Sequence, residues 1–194
     1  YSHTIKNGRR VSAATAFLHP VMSRKNLVVQ TGAKVERVLF DGSRAVGVRA
    51  TVKGKTGDFS CRGEVILCAG TILTPKILQL SGIGDPEHLT PLGITLVASN
   101  RDVGRHLRDH LGFLLPYRLK GTKGLNHRFQ GLGLAASLLQ YYVTRGGPMA
   151  TGPFEVGAFF RTQTHLARPD AQLYLSAFTY PRSEDNFPVP DGVE

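Results

Sequence analysis

The sequence predicts an α/β fold, and three observations carry that reading. Residues 64–70, EVILCAG, are continuously apolar apart from the first, the pattern of a strand buried on both faces of a parallel sheet. That run passes through the small residues Ala69 and Gly70 into TPKILQL, a helical pattern. Ahead of it, residues 26–62 read almost entirely as short strands punctuated by the turns DGSR and GKTG.

Taken in chain order, SAATAFLHPVM (12–22) predicts a helix capped by Ser12, with Phe17 and Leu18 on its apolar face and Pro20 ending or kinking it. LVVQ (27–30) is a short apolar strand. KVERVLF alternates, with Val35 and Val38 near one face, and AVGVRATV and DFSCR follow as second and third strands of an antiparallel meander. After EVILCAG, Thr74 caps a helix with Pro75 at its first position and Ile77, Leu78 and Leu80 along it, stopped by Gly82. DPEHLTPLG predicts a second short helix and ITLV a short strand. Past RDVGRHLRDH the texture changes: GFLLPYRLKG reads as a strand, LGLAASLLQYYVTRGG as a helix stopped by glycines, and FEVGAFFRT and AQLYLSAFTY as strands with period-2 features. A boundary near residue 111 divides the chain into 1–110 and 111–194.

With 194 residues the chain can bury a sizeable core, in one domain or two small ones. The net charge of +10 suits an anionic partner: nucleic acid, an acidic membrane surface or a phosphate-bearing cofactor. The basic residues are scattered in ones and twos, and no zinc-finger, KH or RNP pattern occurs, so nucleic acid is not expected. No run of about 18 apolar residues is present to span a membrane. Cys61 and Cys68 form neither a CxxC nor a disulfide framework and read as reduced packing residues, which suits a cytosolic compartment. The chain opens YSHTIKNGRR, without an initiator Met or leader pattern, and closes PVPDGVE; both ends read as cut, the mark of a fragment.

The carboxyl ends of parallel strands are where open α/β sheets bind ligands. Ala69 and Gly70 stand at such an end and leave room for a cofactor or another backbone, while the helix that follows favours anions at its N-terminus. Tight strand–helix packing would explain the same residues. No GxGxxG, GxSxG, P-loop or metal box occurs; GLGLAAS misplaces its third small residue, and His106 and His110 lack a HExxH context. Read from its residues alone, the chain is an α/β cofactor-site piece without catalytic groups.

The stretch GTILTPKILQLSGIG (70–84) resembles the second signature of the glucose–methanol–choline (GMC) flavoprotein oxidoreductases. Gly70-Thr71, Thr74-Pro75, Ile77-Leu78 and Ser81-Gly82-Ile83-Gly84 carry the match. NGRRVSAATAFLHPVMSRKNLVVQTGAKVERVLFDGSRAVGV and RGEVILCAG resemble the same family in the same order. DVGRHLRDH is similar to its VGxNLxDH, with His106 where Asn is usual. TRGGPMATGPFEVGAFFRT and RPDAQLYL resemble the start of its substrate domain, closest to choline-dehydrogenase-like members, so the resemblance covers nearly the whole chain.

This resemblance implies the middle piece of a longer FAD enzyme. Residues 1–110 would be part of a Rossmann-like FAD-binding domain and 111–194 the start of an α+β substrate-binding domain. The family's GxGxxG would lie upstream and its catalytic His downstream, leaving this chain with no catalytic residue and no activity of its own. The backbone of Val35 matches the position that holds the adenine, and Ala69, Gly70 and Thr71 resemble the turn against the cofactor. Ser81, Gly82 and Gly84 read as a helix stop and turn, and Asp109 and His110 as a structural pair at the domain junction.

Glu155 resembles the carboxylate that choline-active members place near the substrate's quaternary ammonium, with Phe154, Phe159 and Phe160 nearby in sequence; the alternative is a Glu on a solvated strand face. The implied activity is oxidation of a primary alcohol, choline-like or other, by hydride transfer to flavin. Oxygen, a quinone or another acceptor would then take the electrons, in a protein that is cytoplasmic or in peripheral contact with a membrane. An FAD-containing hydroxynitrile lyase of the same family, or a non-catalytic basic binding module, are the other readings.

Overall fold

The structure, a computed structural model, describes residues 3–117, 119–121 and 124–179. The chain separates into two units: Val28–Gly112, and the residues up to Leu27 together with those from Phe113 onward.

In the first unit, β1 (Ala33–Asp41), β2 (Arg44–Val52) and β3 (Lys55–Ser60) form the antiparallel meander, in the order β1-β2-β3. The second turn is tight because Lys53 and Gly54 both take positive φ, the twist that matches two antiparallel strands, and β3 therefore starts at Lys55, ahead of DFSCR. Val35 and Val38 lie three residues apart, a spacing that would put them on opposite faces of a regular strand. A bulge between Val35 and Arg37 adds one residue, so Val35 faces Ala50 and Val38 faces Val48, and the two valines share a face after all. Val38 and Ala50 are buried there. Arg49 and Asp58 join β2 to β3 by a two-pronged ion pair of 2.7 and 2.8 Å.

Helix α1 (Gly70–Leu80) lies against β1 and buries Ile77. It begins five residues before the expected first position at Pro75, because Gly70 makes the chain reversal at φ +82 and the first turn winds directly from it. Pro75 consequently sits inside the helix, and Thr74 caps nothing. The short helix α2 (Pro86–Leu89) follows, capped by Asp85, whose Oδ1 accepts the Glu87 N–H at 3.1 Å. Leu89 is completely buried. Ile83–Gly84 pairs in parallel with Ala98–Ser99, so the strand expected over 94–97 falls just beyond it.

Two expected strands are absent here. EVILCAG is neither paired nor buried, and Ile66 is 77% exposed. LVVQ is likewise unpaired, with Val28 exposed. An apolar run becomes a parallel strand only when neighbours satisfy its backbone on its edges, and no described residues supply them. Cys68, at the end of this run, is exposed and not packed, while Cys61 is half-buried.

In the second unit a small ribbon, Ile5–Lys6 with Arg9–Arg10, turns on Asn7-Gly8, both at positive φ. The expected 12–22 helix forms only irregular turns, a wide one over Ala14–Leu18 and a tight one over His19–Val21. Pro20 has no N–H to continue an α-helical ladder, and Phe17 is exposed. Ser12 does act at the start, its Oγ accepting the Thr15 N–H at 3.2 Å. Helix α3 (Gly131–Thr144) ends at Arg145 in a left-handed conformation, its guanidinium over Tyr141 and Tyr142. GFLLPYRLKG, apart from Arg118, which lies outside the described residues, forms no strand and is exposed.

The strands β4 (Phe154–Phe160) and β5 (Ala171–Ser176) form an antiparallel pair. The buried apolar residues of the core, large and small, are Val38, Ala50, Ile77 and Leu89, all of them in the first unit, so the sizeable core expected from chain length does not form among the described residues. No helix among them is long and apolar enough to cross a membrane.

Candidate functional site

The turn that opens α1 is built for access. Gly70 needs its φ of +82, yet nothing lies within 4 Å of where its Cβ would be, so conformation and not packing requires the glycine. Ala69 is half-buried and Thr71 exposed. Close strand–helix packing, the alternative explanation for these small residues, does not account for Gly70, which no described residue approaches.

Thr71, Pro75, Lys76 and Gln79 of α1 form one wall of an open groove of about 450 Å³, and Gly104–Arg108 form the other. The structure thus brings the first signature residues beside DVGRHLRDH, two segments that sequence reasoning treated separately. Gln79 sets the spacing: its Nε2 donates to Val103 O at 3.1 Å and sits 2.8 Å from where a Gly104 Cβ would be. Lys76 and Arg108 make the groove cationic, while Arg105, also on its wall, is paired with Asp85. His106 adopts φ +58, a region in which Asn, Asp and His are the commonest non-glycine residues. The departure from the family's usual Asn is therefore compatible with the same backbone, and His106 Nε2 lies 3.3 Å from Asp102 Oδ1.

The other half of the signature ties the unit together. Ser81 is buried; its Oγ accepts the Val38 N–H at 2.8 Å and donates to Ile77 O at 2.5 Å, fastening the end of α1 to the outer edge of β1. Gly82 has φ +85, and a Cβ there would meet Thr95 O at 2.2 Å. Asp85, also buried, caps α2 and receives Arg105 at 2.7 Å. The short helix was legible in DPEHLTPLG; the reach of Ser81 to β1 and of Arg105 to Asp85 was not, because neither has a local sequence pattern.

Val35 is half-buried on β1, an edge strand, beside the bulge, and is not part of the α1 groove. Asp109 and His110 pair with each other in solvent, the His110 N–H donating to Asp109 Oδ1 at 2.8 Å.

Glu155 belongs to the second unit, exposed, and is the extra residue of a bulge between Phe154 and Val156. Bulges re-aim side chains and recur beside active sites. The register puts Phe154, Gly157 and Phe159 on one face with Ser176, Tyr174 and Gln172, and Val156, Ala158 and Phe160 on the other with Leu175, Leu173 and Ala171. Phe160 thus parts from Phe154 and Phe159, and Tyr174, which sequence reasoning did not single out, joins them. Its ring centroid is 5.0 Å from that of Phe154. In the loop between the strands, Asp170 accepts the Thr162 hydroxyl at 2.6 Å and the Thr162 N–H at 2.8 Å. These bonds, the hydroxyl's first, hold the Asp170 carboxyl below the usual carboxylate range.

Comparison with known proteins places these features in a family. The family model described as GMC oxidoreductase matches residues 2–112. The oxygen-dependent choline dehydrogenase of Staphylococcus haemolyticus is 36% identical over all of this chain and 34% of its own length. Human mitochondrial choline dehydrogenase is 38% identical over 89% of this chain and 29% of its own. Among solved structures, a formate oxidase of Aspergillus oryzae studied for its FAD modification superposes with a TM-score of 0.70 at 29% identity, over 81% of this chain and 28% of that one. The chain spans about a third of the length of the curated relatives it matches. With the signature turn, the groove beside it and more than half of the sequence accounted for by one family model, the chain belongs to the GMC oxidoreductase family.

Proposed function

We propose that this chain is the central part of an FAD-dependent GMC enzyme that oxidises an alcohol, with a cationic, choline-like alcohol as its substrate. Residues 1–110 contribute to the cofactor domain and 111–194 begin the substrate domain. The observation that carries the reading is the open, glycine-dependent turn at Ala69–Thr71 at the head of the family's signature, whose Thr71 lines the cationic groove. The residues present fit an anionic dinucleotide: space above Gly70, the helix N-terminus, and Lys76 and Arg108 along the groove. On β1, the outer backbone edge at Val35 is the part that would hold the adenine.

FAD, when bound, supplies the redox chemistry by accepting the hydride of alcohol oxidation. The chain's own residues do the holding. Ala69, Gly70 and Thr71 give close approach, Ser81 and Gly82 fix α1 relative to β1, and Glu155 attracts the cationic end of the alcohol. Oxygen, a quinone or another acceptor reoxidises the enzyme, which we place in the cytoplasm or in peripheral contact with a membrane. The extent of exposed apolar surface, including Val28, Ile66, Phe113 and Leu175, supports a chain that is part of a larger fold.

The test is made on the full-length protein. It should purify yellow and, under anaerobic conditions, lose its flavin absorbance when choline is added. A colourless protein, or a flavin that no alcohol reduces, would overturn the proposal. Cyanide release from a cyanohydrin by such an unreduced flavoprotein would identify a lyase instead.

A further inference from the structure

We propose that His3 is a positioning residue for the alcohol site: its imidazole pins the peptide that carries Glu155, and so fixes the carboxylate that attracts the cationic end of the substrate. The inference rests on the proposed cationic-alcohol reading of Glu155. One hydrogen bond carries it: His3 Nε2 lies 2.6 Å from Phe154 O, across 151 residues of chain. A carbonyl oxygen only accepts, so Nε2 holds the proton and donates it.

That carbonyl belongs to the peptide joining Phe154 to Glu155. A peptide is planar and its plane contains the Cα of both residues, so a bond that fixes the carbonyl also fixes where Glu155 leaves the backbone. Glu155 needs such a restraint more than its neighbours do. As the extra residue of the bulge it has no opposite residue on β5, whereas Phe154 faces Ser176 and Val156 faces Leu175.

The approach of the imidazole is built into the second unit. His3 precedes Thr4, whose carbonyl accepts the Val11 N–H at 2.8 Å and so extends the pairing of Ile5–Lys6 with Arg9–Arg10. At the turn of this ribbon a Cβ on Gly8 would collide with Arg145 O, so the bare Gly8 backbone lies against the end of α3. At the other end the imidazole lies over Gly152, where a Cβ would be 3.1 Å from His3 Cδ2 and 3.2 Å from Nε2. Glycine therefore admits the ribbon at both contacts, and a ribbon seated at both ends can hold the carbonyl it reaches.

The test uses the full-length enzyme with choline and its neutral isostere 3,3-dimethylbutan-1-ol. His3→Leu, which removes the donor, should raise KM for choline about fivefold and KM for the isostere by less than about twofold. His3→Gln places an amide N–H near the Nε2 position and should restore values close to the parent enzyme with both alcohols. Because His3 acts through Glu155, His3→Leu should add less than about twofold to the choline KM of Glu155→Gln. Equal losses on the two alcohols, an unchanged His3→Leu enzyme, a His3→Gln enzyme as impaired as His3→Leu, or fully multiplied effects in the double variant would overturn the inference. Glu155→Gln alone separates the two levels. If it impairs choline selectively while His3→Leu does not, only the His3 assignment is wrong. If it affects both alcohols alike, the cationic reading of Glu155 is wrong and the His3 inference falls with it.

Discussion

Between Ile77 and Arg105 a few polar side chains tie the backbone together. Ser81 closes the end of α1 onto β1, Asp85 caps α2 and holds Arg105, and Gln79 reaches across to Val103. Leu89 and Ile77 are buried among them. In the β4–β5 pair the apolar side chains turn outward, with Val156, Phe159, Leu173 and Leu175 all exposed on one face or the other. The first region obtains its geometry from its own residues. The second has its register and its bulge fixed by strand pairing but has little apolar burial, and two strands alone are marginal in water. The contrast separates a region tied together by its own side chains from an exposed strand pair whose packing partners are not among the described residues.

That contrast makes substitutions in the two regions behave differently. Gly82→Ala should have the greatest effect: it combines a left-handed backbone position with a methyl 2.2 Å from Thr95 O, and should cost roughly 4 kcal/mol in denaturant unfolding. Ser81→Ala removes the acceptor of a buried N–H on Val38 and should cost about 2 kcal/mol by the same measurement. A result near zero for either would mean that the signature's second half does not fasten α1 to the sheet.

In the exposed hairpin the corresponding change is one of charge and not of packing. Because the Asp170 pKa is depressed in the fold, its contribution exists at pH above the ordinary carboxylate value of about 3.9 and is lost as pH falls through the lowered one. Thr162→Val should move the Asp170 titration, followed by carboxyl NMR shifts, back up towards the ordinary value. Asp58, held down by its bond to Arg49, should not respond.

Much of the first unit was legible because its signals are local. The turn at Asp41–Arg44 and the glycine stop at Gly82 each depend on residues a few positions apart, whereas the turn expected over GKTG (54–57) forms two residues earlier, at Lys53–Gly54. Even the odd spacing of Val35 and Val38 was read correctly as one face, although the bulge that makes it so carries no pattern of its own. EVILCAG and LVVQ were misread for the opposite reason. Their composition is that of buried strands, but strand structure is a property of a pair, and no partner is present among the described residues. Thr74-Pro75 misled similarly: Pro at a helix start is a preference, and Gly70 starts the helix earlier because the reversal already occurs there. The Asn7-Gly8 ribbon carried a hairpin signal that went unused.

For the candidate site, family resemblance proposes the residues, whereas it says nothing of their surroundings. Nothing in sequence places Thr71 beside His106 and Arg108, or Tyr174 against Phe154, because those neighbours are created by chain reversal and strand register.

The role of the Ala69–Thr71 turn can be tested directly by measuring flavin content in the full-length protein carrying Thr71→Trp. Thr71 is exposed, so the substitution should change folding stability by no more than about 0.5 kcal/mol. If the cofactor lies against this turn, the variant should purify folded with its ratio of flavin to protein absorbance largely lost. A folded variant that retains the full flavin complement would contradict the assignment of this turn to the cofactor.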